Sequence, residues 1–265
     1  MLGAITGDIV GSIYENEETA IKTKDFPLFS DKCHVTDDTI MTLAVCEGIL
    51  NGLATNDFKT ELERCLFTMA KLYPNAGYGK MFTEWVWSKN KMPYNSYGNG
   101  SAMRVSSVGW IFNNLSDVEK YAEISASVTH NHPEGIKGAK AIAGCIFLAR
   151  KKYSKQNIKE YVQNRYGYNL NRTCDEIRPL YSRKVSCQES VPEAIICFLD
   201  GKSFEDTIRN AISLGGDSDT LAAMAGSIAE AFFTIPSKIA HKALKHLDPL
   251  QRKLLVRFNN YIINV

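Results

Sequence analysis

The chain has 265 residues, of which 45% are hydrophobic and 23% are charged, so it can bury a large core and is not disordered throughout. Its formal net charge is +2, which gives no strong indication of a nucleic-acid-binding or membrane-binding surface. At this length we expect one compact domain that spans residues 1–265.

The first predicted helix has glycine at every fourth position, at Gly3, Gly7 and Gly11. These residues share one face of a helix, and a face without side chains lets another helix approach closely. Because each glycine costs a helix interior about 1 kcal/mol, the pattern indicates a closely packed partner that offsets this cost. Asp8 lies in the same segment, and Glu15 follows it. Taken alone, Glu15 would be a solvent-exposed residue near the end of the helix.

The next predicted helix begins with the sequence TDDT at residues 36–39. Thr36 is a favourable N-cap, and apolar residues continue the helix to Gly52, where we expect it to stop. A similar sequence, DSDT at residues 217–220, follows a double glycine and begins a helix with apolar residues from 221 to 233. Each acidic pair therefore lies at the positive end of a helix, where backbone N–H groups lack partners.

Capping residues and apolar spacing predict further helices along the chain. They are a helix capped by Asn56 and ended by Pro74, one around 80–90, one from Ala102, one capped by Ser116 that runs to Thr129, one from Pro133, one near Pro192 that stops at Gly201, one after Ser203, and two more from Ser237 and Pro249. Between residues 153 and 189 a weaker pattern predicts a short helix after Ser154, loops and a brief hairpin. Close to a dozen helices with scarcely a strand predict an all-α fold, an orthogonal multi-helix bundle.

Two motifs between the acidic helix starts are candidates for ligand binding. Residues 94–101 form a glycine-rich loop before a predicted helix, and backbone N–H groups of such loops can cradle a phosphate. Glycine and asparagine also form ordinary turns, so this loop alone is a weak signal. The sequence HNH at 130–132 is not a typical metal site, because residues two apart do not share a helix face. Ligand contact or packing by His130 is the favoured interpretation.

Each acidic helix start alone is more typical of a helix cap than of a metal site. Because both combine a hydroxyl, two carboxylates and an apolar helix, we interpret them together as one site that the fold assembles. Oxygen ligands favour Mg²⁺ or Mn²⁺ over Zn²⁺. Four or five neighbouring carboxylates would raise one another's pKa, and two divalent ions would neutralise them. Haloacid-dehalogenase-type phosphatases and all-α terpenoid synthases have motifs of similar letters, but the spacing here departs from both.

Five segments resemble the ADP-ribosylglycohydrolase family, the group that includes the dinitrogenase-reductase-activating glycohydrolase. They are GAITGDIVGSIYE (3–15), TDDT (36–39), SYGNGSAMRV (96–105), THNHPEG (129–135) and SLGGDSDTLAAMAGSIAEA (213–231). They follow the family's order and span most of the chain, and TDDT together with GGDSDT is the most specific part. The stretch 153–189 matches least.

The resemblance implies an all-α fold with two Mg²⁺ ions at the base of a cleft. By motif, the metal ligands would be Thr36, Asp37, Asp38, Asp217, Asp219 and Thr220. The diphosphate and distal ribose of ADP-ribose would be held by Ser96, Tyr97, Gly98, Asn99, Gly100 and Ser101, with Met103 close by and His130 in contact with the ribose or phosphate. An aromatic ring, Tyr97 or Trp85, would stack near the sugar or the adenine.

The resemblance also implies a reaction, the hydrolysis of an N- or O-glycosidic bond that releases ADP-ribose from a modified side chain or small molecule. Glu15 matches a glutamate that acts in catalysis in some family members, and would be the general base or acid. Nearby carboxylates, Asp38 and Asp219 among them, would stabilise the positive charge on the sugar. The sequence does not decide whether Asp8 has a catalytic role or a packing role. An inert ADP-ribose-binding module and a Mg-dependent nucleotide phosphohydrolase remain alternatives, and the sequence indicates neither the acceptor nor the oligomeric state.

The seven cysteines are scattered and form no CxxC pair, which is typical of reduced, buried thiols in a cytosolic protein. The apolar run at the N-terminus is short and is interrupted by Asp8, so neither a signal peptide nor a membrane span is expected. These features predict a cytoplasmic protein, and the family resemblance implies that its partner is ADP-ribose or an ADP-ribosylated substrate.

Overall fold

The computed structural model describes residues 1–264, and this part of the chain contains fifteen α-helices and no β-strand. The helices are α1 (Leu2–Gly11), α2 (Asp37–Thr55), α3 (Phe58–Leu72), α4 (Lys80–Trp87), α5 (Gly100–Met103), α6 (Ser106–Ile111), α7 (Leu115–Ser127), α8 (Pro133–Arg150), α9 (Lys155–Tyr166), α10 (Cys174–Ile177), α11 (Cys187–Asp200), α12 (Phe204–Ser213), α13 (Ser218–Phe232), α14 (Ser237–Lys245) and α15 (Pro249–Asn264). They pack around one hydrophobic core. The predicted all-α bundle is confirmed.

Helices α1 and α13 form the centre of the bundle, and their backbones are in direct contact. A Cβ atom at Gly7 would lie 2.1 Å from the Ala222 carbonyl oxygen, and one at Gly3 would lie 2.2 Å from the Gly226 oxygen. The predicted close approach along the glycine face is therefore confirmed. This close packing brings the end of α1 against the start of α13.

The boundary between α2 and α3 differs from the prediction. Gly52 does not end α2, because it packs against the Phe58 ring and the helix continues to Thr55. Asn56 then adopts a left-handed conformation (φ 58°) and ends α2 instead of capping α3. Asp57 is the cap of α3, with its side chain accepting from the Thr60 N–H at 3.2 Å. The prediction that Asn56 is the N-cap of α3 is therefore wrong.

The starts of α7 and α11 also differ from the predicted positions. Helix α7 is capped by Asn114, which accepts from the Asp117 N–H at 2.8 Å, and not by Ser116. Helix α11 begins at Cys187, so that Pro192 lies inside the helix and not near its start. An isolated antiparallel bridge between Gly98 and Ser186 places the first turn of α11 next to the glycine-rich loop.

The weakly patterned stretch contains more helix than was predicted. Helix α9 has twelve residues and begins with Ser154 as its N-cap, in a capping box with Asn157. The predicted hairpin is absent from the described residues, where a short α10 and loops follow α9. All seven cysteines are buried and free, as predicted. Between residues 1 and 264 there is no helix with the length and hydropathy needed to cross a membrane.

Candidate active site

The two acidic helix starts meet in the folded chain. The Thr220 hydroxyl at the start of α13 donates a hydrogen bond to Asp38 Oδ2 at the start of α2, at 3.0 Å, across 182 positions of sequence. The packing of α1 against α13 explains this contact, because α1 also touches α2 and so joins the two helix starts.

The carboxylates form two groups that share one residue. In Asp8, Asp38 and Asp219, one oxygen of each lies within 4.8 Å of the others, and the same holds for Glu15, Asp217 and Asp219. Asp219 is the member of both groups. Two neighbouring clusters of carboxylate oxygens are an arrangement that can hold divalent cations.

Asp8 accepts three hydrogen bonds from the start of α2. Its carboxylate accepts from the Thr36 hydroxyl at 2.6 Å, from the Thr36 N–H at 3.1 Å and from the Thr39 N–H at 3.1 Å. The Thr36 hydroxyl also accepts from the Asp38 N–H at 3.3 Å. Asp8 therefore orients the turn that carries Asp38, and the Thr36 side chain is turned toward Asp8.

Asp38 has an oxygen atom without a partner. Its side chain is 2% exposed, and Oδ1 forms no hydrogen bond with the described residues. Burial is the main reason that the pKa values of Asp38 and Asp219 lie well above the usual aspartate range, and neighbouring carboxylates add to it. The same two causes raise the pKa of Asp37 to about 8. Without a cation these carboxyl groups therefore hold protons that isolated aspartates would have lost.

Arg183 is a residue of this site that the sequence did not indicate. Its NH2 group donates to Glu15 Oε1 at 2.7 Å and lies 3.3 Å from Asp217 Oδ1. Asp217 also accepts from Asn99 Nδ2 at 2.7 Å, so its carboxylate joins the arginine to the glycine-rich loop. Arg183 comes from the stretch 153–189, where neither periodicity nor the family resemblance gave a signal.

A cavity of about 310 Å³ is lined both by the acidic groups and by the glycine-rich loop. The predicted residues that line it are Glu15, Asp37, Asp38, Ser96, Gly98, Asn99, Gly100, Met103, His130, Asp217, Asp219 and Thr220. Thr36, Tyr97 and Ser101 do not line it. The Ser101 hydroxyl donates to the Gly135 carbonyl at 2.7 Å, and the half-exposed Tyr97 ring packs edge-on against His132.

The aromatic walls of the cavity are also different from the prediction. Trp85 is 3% exposed and stacks on Phe82 in the core, so it does not reach the cavity. Tyr94 and Phe82 line the cavity instead. His130 lies beneath the loop, and a Cβ atom at Gly100 would lie 3.1 Å from its Nε2 atom. Burial lowers the pKa of His130 well below its usual value, so the ring is neutral.

Comparisons with known proteins agree with this geometry. The sequence pattern of the ADP-ribosylglycohydrolase family matches residues 1–260. The chain is 27% identical to the ADP-ribosylhydrolase ARH3 of Homo sapiens over 88% of this chain and 84% of that protein. It is 34% identical to an uncharacterized protein of Archaeoglobus fulgidus over 58% of this chain and 57% of that protein.

A solved structure described as an ADP-ribosylglycohydrolase-related protein complex superposes with a TM-score of 0.70, covering 98% of this chain and 95% of that one. At 20% identity this likeness shows the fold. The family match, in contrast, extends over nearly the whole sequence and includes both acidic helix starts and the glycine-rich loop. The chain therefore belongs to the ADP-ribosylglycohydrolase family and is a hydrolase of that family.

Proposed function

We propose that the chain cleaves the N- or O-glycosidic bond between ADP-ribose and a modified side chain or small molecule, releasing ADP-ribose in a metal-dependent reaction. The observation that carries the proposal is the position of Asp219, whose carboxylate belongs to both acidic groups and which lines the cavity. The glycine-rich loop lines the same cavity. A sugar diphosphate between them would meet carboxylates at the sugar and backbone N–H groups at the phosphates. The name of the human relative, ADP-ribosylhydrolase, agrees with this reaction.

The proposed cofactor is a pair of Mg²⁺ ions, for which Mn²⁺ can substitute. Their proposed ligands are Thr36, Asp37, Asp38, Asp217, Asp219 and Thr220. These side chains offer only oxygen atoms, which hard cations prefer. The buried, unpartnered Oδ1 atom of Asp38 supports the fit, since a cation is the partner that this atom lacks. Bound ions would polarise a water molecule and hold the ribose hydroxyls.

Glu15 is the proposed general base or acid. It lies at the cavity, where the hydrogen bond from Arg183 orients its carboxylate. As a water oxygen bonds to the anomeric carbon, Glu15 takes the water's proton, or it gives a proton to the nitrogen or oxygen that leaves. The bond between the anomeric carbon and the acceptor breaks as its electron pair passes to the leaving nitrogen or oxygen, which takes up a proton in place of the one that the water gives up. Asp38 and Asp219 stabilise the positive charge that the sugar carries during this step.

The glycine-rich loop is the proposed site for the diphosphate and the distal ribose. Ser96, Gly98, Asn99 and Gly100 line the cavity, and Tyr97 and Ser101 would contribute through their backbone, since their side chains do not line it. Tyr94 and Phe82 replace Tyr97 and Trp85 as the proposed aromatic contacts, because their rings reach the cavity.

The proposal is tested with ADP-ribosylated arginine, ADP-ribosylated serine and other defined acceptors, each incubated with Mg²⁺ or with EDTA. Release of intact ADP-ribose that requires Mg²⁺ supports the proposal, and the preferred acceptor identifies the linkage. Tight binding of ADP-ribose without release would indicate an inert binding module. Release of phosphate or AMP would indicate a nucleotide phosphohydrolase.

A further inference from the structure

Arg104 carries a positive charge into the protein interior beside the cavity. Its side chain is 1% exposed, it lines the cavity, and it forms no ion pair with a carboxylate among the described residues. Its Nε atom has no hydrogen-bond partner there either. A buried charge without a partner of opposite sign is unfavourable. The position of Arg104 therefore suggests that a negatively charged group approaches it when ligand binds.

The hydrogen bonds of Arg104 form a chain with a defined direction. A guanidinium only donates, and its NH2 group donates to the Thr129 hydroxyl oxygen at 2.6 Å. The same hydroxyl lies 2.8 Å from His130 Nδ1. The Tyr94 hydroxyl also lies near this hydroxyl but forms no hydrogen bond, so among residues 1–264 the Thr129 proton is paired when it points to Nδ1. In a neutral imidazole an Nδ1 atom that accepts leaves the proton on Nε2.

The Nε2 atom of His130 faces the glycine-rich loop. A Cβ atom would lie 3.1 Å from it at Gly100 and 3.6 Å from it at Gly98. Because neither residue has a side chain, the space next to Nε2 remains open to the cavity. The Nε2–H group therefore points to the region where a ligand held by the loop would lie. The positive charge of Arg104 also lowers the pKa of His130, after the larger effect of burial, which keeps the ring neutral.

We propose that Arg104 and Thr129 are positioning residues that hold His130 in the tautomer with its proton on Nε2. The ring then offers an N–H donor, supported by a buried positive charge, to an anionic group bound under the glycine-rich loop. This inference rests on the proposed function for the identity of that group, a phosphate of the ADP-ribose diphosphate. The tautomer itself is a property of the free protein.

The test uses Thr129→Val, which has nearly the same shape as threonine but lacks the hydroxyl. The first readout is the ¹⁵N NMR spectrum of the histidine rings in the free protein, in which His130 is the buried one among five histidines. Wild type should show the proton on Nε2, and Thr129→Val should show it wholly or partly on Nδ1. The second readout is calorimetric titration with ADP-ribose, where the dissociation constant should rise about tenfold, or about 1.4 kcal/mol.

Thr129→Ser restores the hydroxyl and should restore both readouts. The matched control is Thr207→Val, which removes another buried hydroxyl, one that donates to the Ser203 carbonyl at 2.9 Å away from the cavity. It should change thermal stability without changing ADP-ribose affinity. If Thr129 acts on ligand binding through His130, Thr129→Val should not change the affinity for ADP-ribose further in a His130→Ala background.

The inference is overturned if wild-type His130 carries its proton on Nδ1. It is also overturned if Thr129→Val changes neither the tautomer nor the affinity, or lowers affinity equally in the His130→Ala background. If Thr129→Val does not fold, the wild-type spectrum and Thr129→Ser still decide the tautomer. Failure of the proposed function gives a different result, in which wild type does not release ADP-ribose while the NMR readout remains interpretable.

Discussion

The two carboxylate oxygens of Asp38 have different surroundings. Oδ2 accepts from the Thr220 hydroxyl, whereas Oδ1 is buried without a partner in the described residues. A buried polar atom without a hydrogen bond costs about 1–3 kcal/mol, and more when it is charged. Asp38 is therefore stable in this position as a neutral acid or beside a cation, and the neutral acid cannot ligate a metal. At the scale of single residues, we propose that the site exchanges protons for cations.

Asp219→Asn should abolish Mg²⁺-dependent turnover, because it removes the carboxylate that both acidic groups share. We expect a loss of more than about 100-fold, or about 2.7 kcal/mol of transition-state stabilisation. Circular dichroism should show nearly unchanged helical content. The control is Asp31→Asn, an exposed aspartate outside the cavity. Activity of Asp219→Asn near that of wild type would contradict the ligand assignment.

Arg183→Gln should increase Mg²⁺ affinity several-fold at low ionic strength. Arg183 is a positive charge within 2.7–3.3 Å of Glu15 and Asp217, and like charges repel. Isothermal titration of the metal-free protein with Mg²⁺ measures the change, and it should shrink in high salt because the arginine is partly exposed. The control is Arg172→Gln, since Arg172 pairs with Glu193 away from the cavity. Unchanged or weaker Mg²⁺ affinity in Arg183→Gln would show that the arginine does not oppose metal binding.

At the scale of elements, the contact between α1 and α13 decides the geometry of the site. The glycine face of α1 allows the two helices to touch through their backbones, and Asp8 on α1 then orients the start of α2 through Thr36 and Thr39. Helices α1 and α2, at the start of the chain, are joined in this way to α13 near its other end. The acidic groups depend on this packing as much as on the acidic residues themselves.

Gly7→Ala should destabilise the fold and weaken metal binding together. The new Cβ atom would lie 2.1 Å from a backbone oxygen of α13, which cannot move without shifting a helix. Overpacking of this kind costs about 1–3 kcal/mol, which exceeds the gain of about 1 kcal/mol in helix propensity. Denaturant unfolding of the metal-free protein measures the loss.

Gly79→Ala is the comparison, since no atom lies within 4 Å of its added Cβ and its backbone φ is −61°. It should stay within about 1 kcal/mol of wild type, the cost of losing glycine at an N-cap. A Gly7→Ala protein as stable as wild type, with normal Mg²⁺ affinity, would show that the helix contact does not position the site.

Features that depend on local sequence patterns could be predicted from the sequence. Apolar spacing and capping residues gave most helices, and the glycine face of α1 indicated a close contact without naming its partner. The cap of α3 was missed because Asn56 and Asp57 are both good caps, and only the left-handed backbone at Asn56 distinguishes them. Residues such as Arg183 could not be predicted, because a loop arginine has no periodicity and owes its position to tertiary contacts.

At the scale of the whole molecule, the buried carboxyl groups link stability to pH and to metal. The pKa of Asp37 is raised to about 8, and those of Asp38 and Asp219 lie well above the usual range. Between the ordinary aspartate pKa of about 3.9 and these raised values, the folded protein holds more protons than the unfolded chain. The free energy of unfolding of the metal-free protein should therefore fall as pH rises through this interval.

Thermal unfolding from about pH 5 to pH 8, in EDTA and in Mg²⁺, tests this linkage. The midpoint in EDTA should decrease with pH, and the stabilisation by Mg²⁺ should increase with pH, because the ligands must lose their protons to bind metal. Asp37→Asn should reduce the pH dependence in EDTA. Stability in EDTA that rises over this interval, or equal stabilisation by Mg²⁺ at both ends of it, would contradict the account.

We propose that carboxylates from distant parts of the chain converge on shared divalent cations. Anomalous diffraction from crystals grown with Mn²⁺ tests it most directly, because the signal locates the ions without assumptions about their ligands. We expect two manganese peaks, each within about 2.0–2.6 Å of carboxylate oxygens, with Asp219 next to both. Well-diffracting crystals in saturating Mn²⁺ with no peak within that distance of Asp38, Asp217 or Asp219 would contradict it.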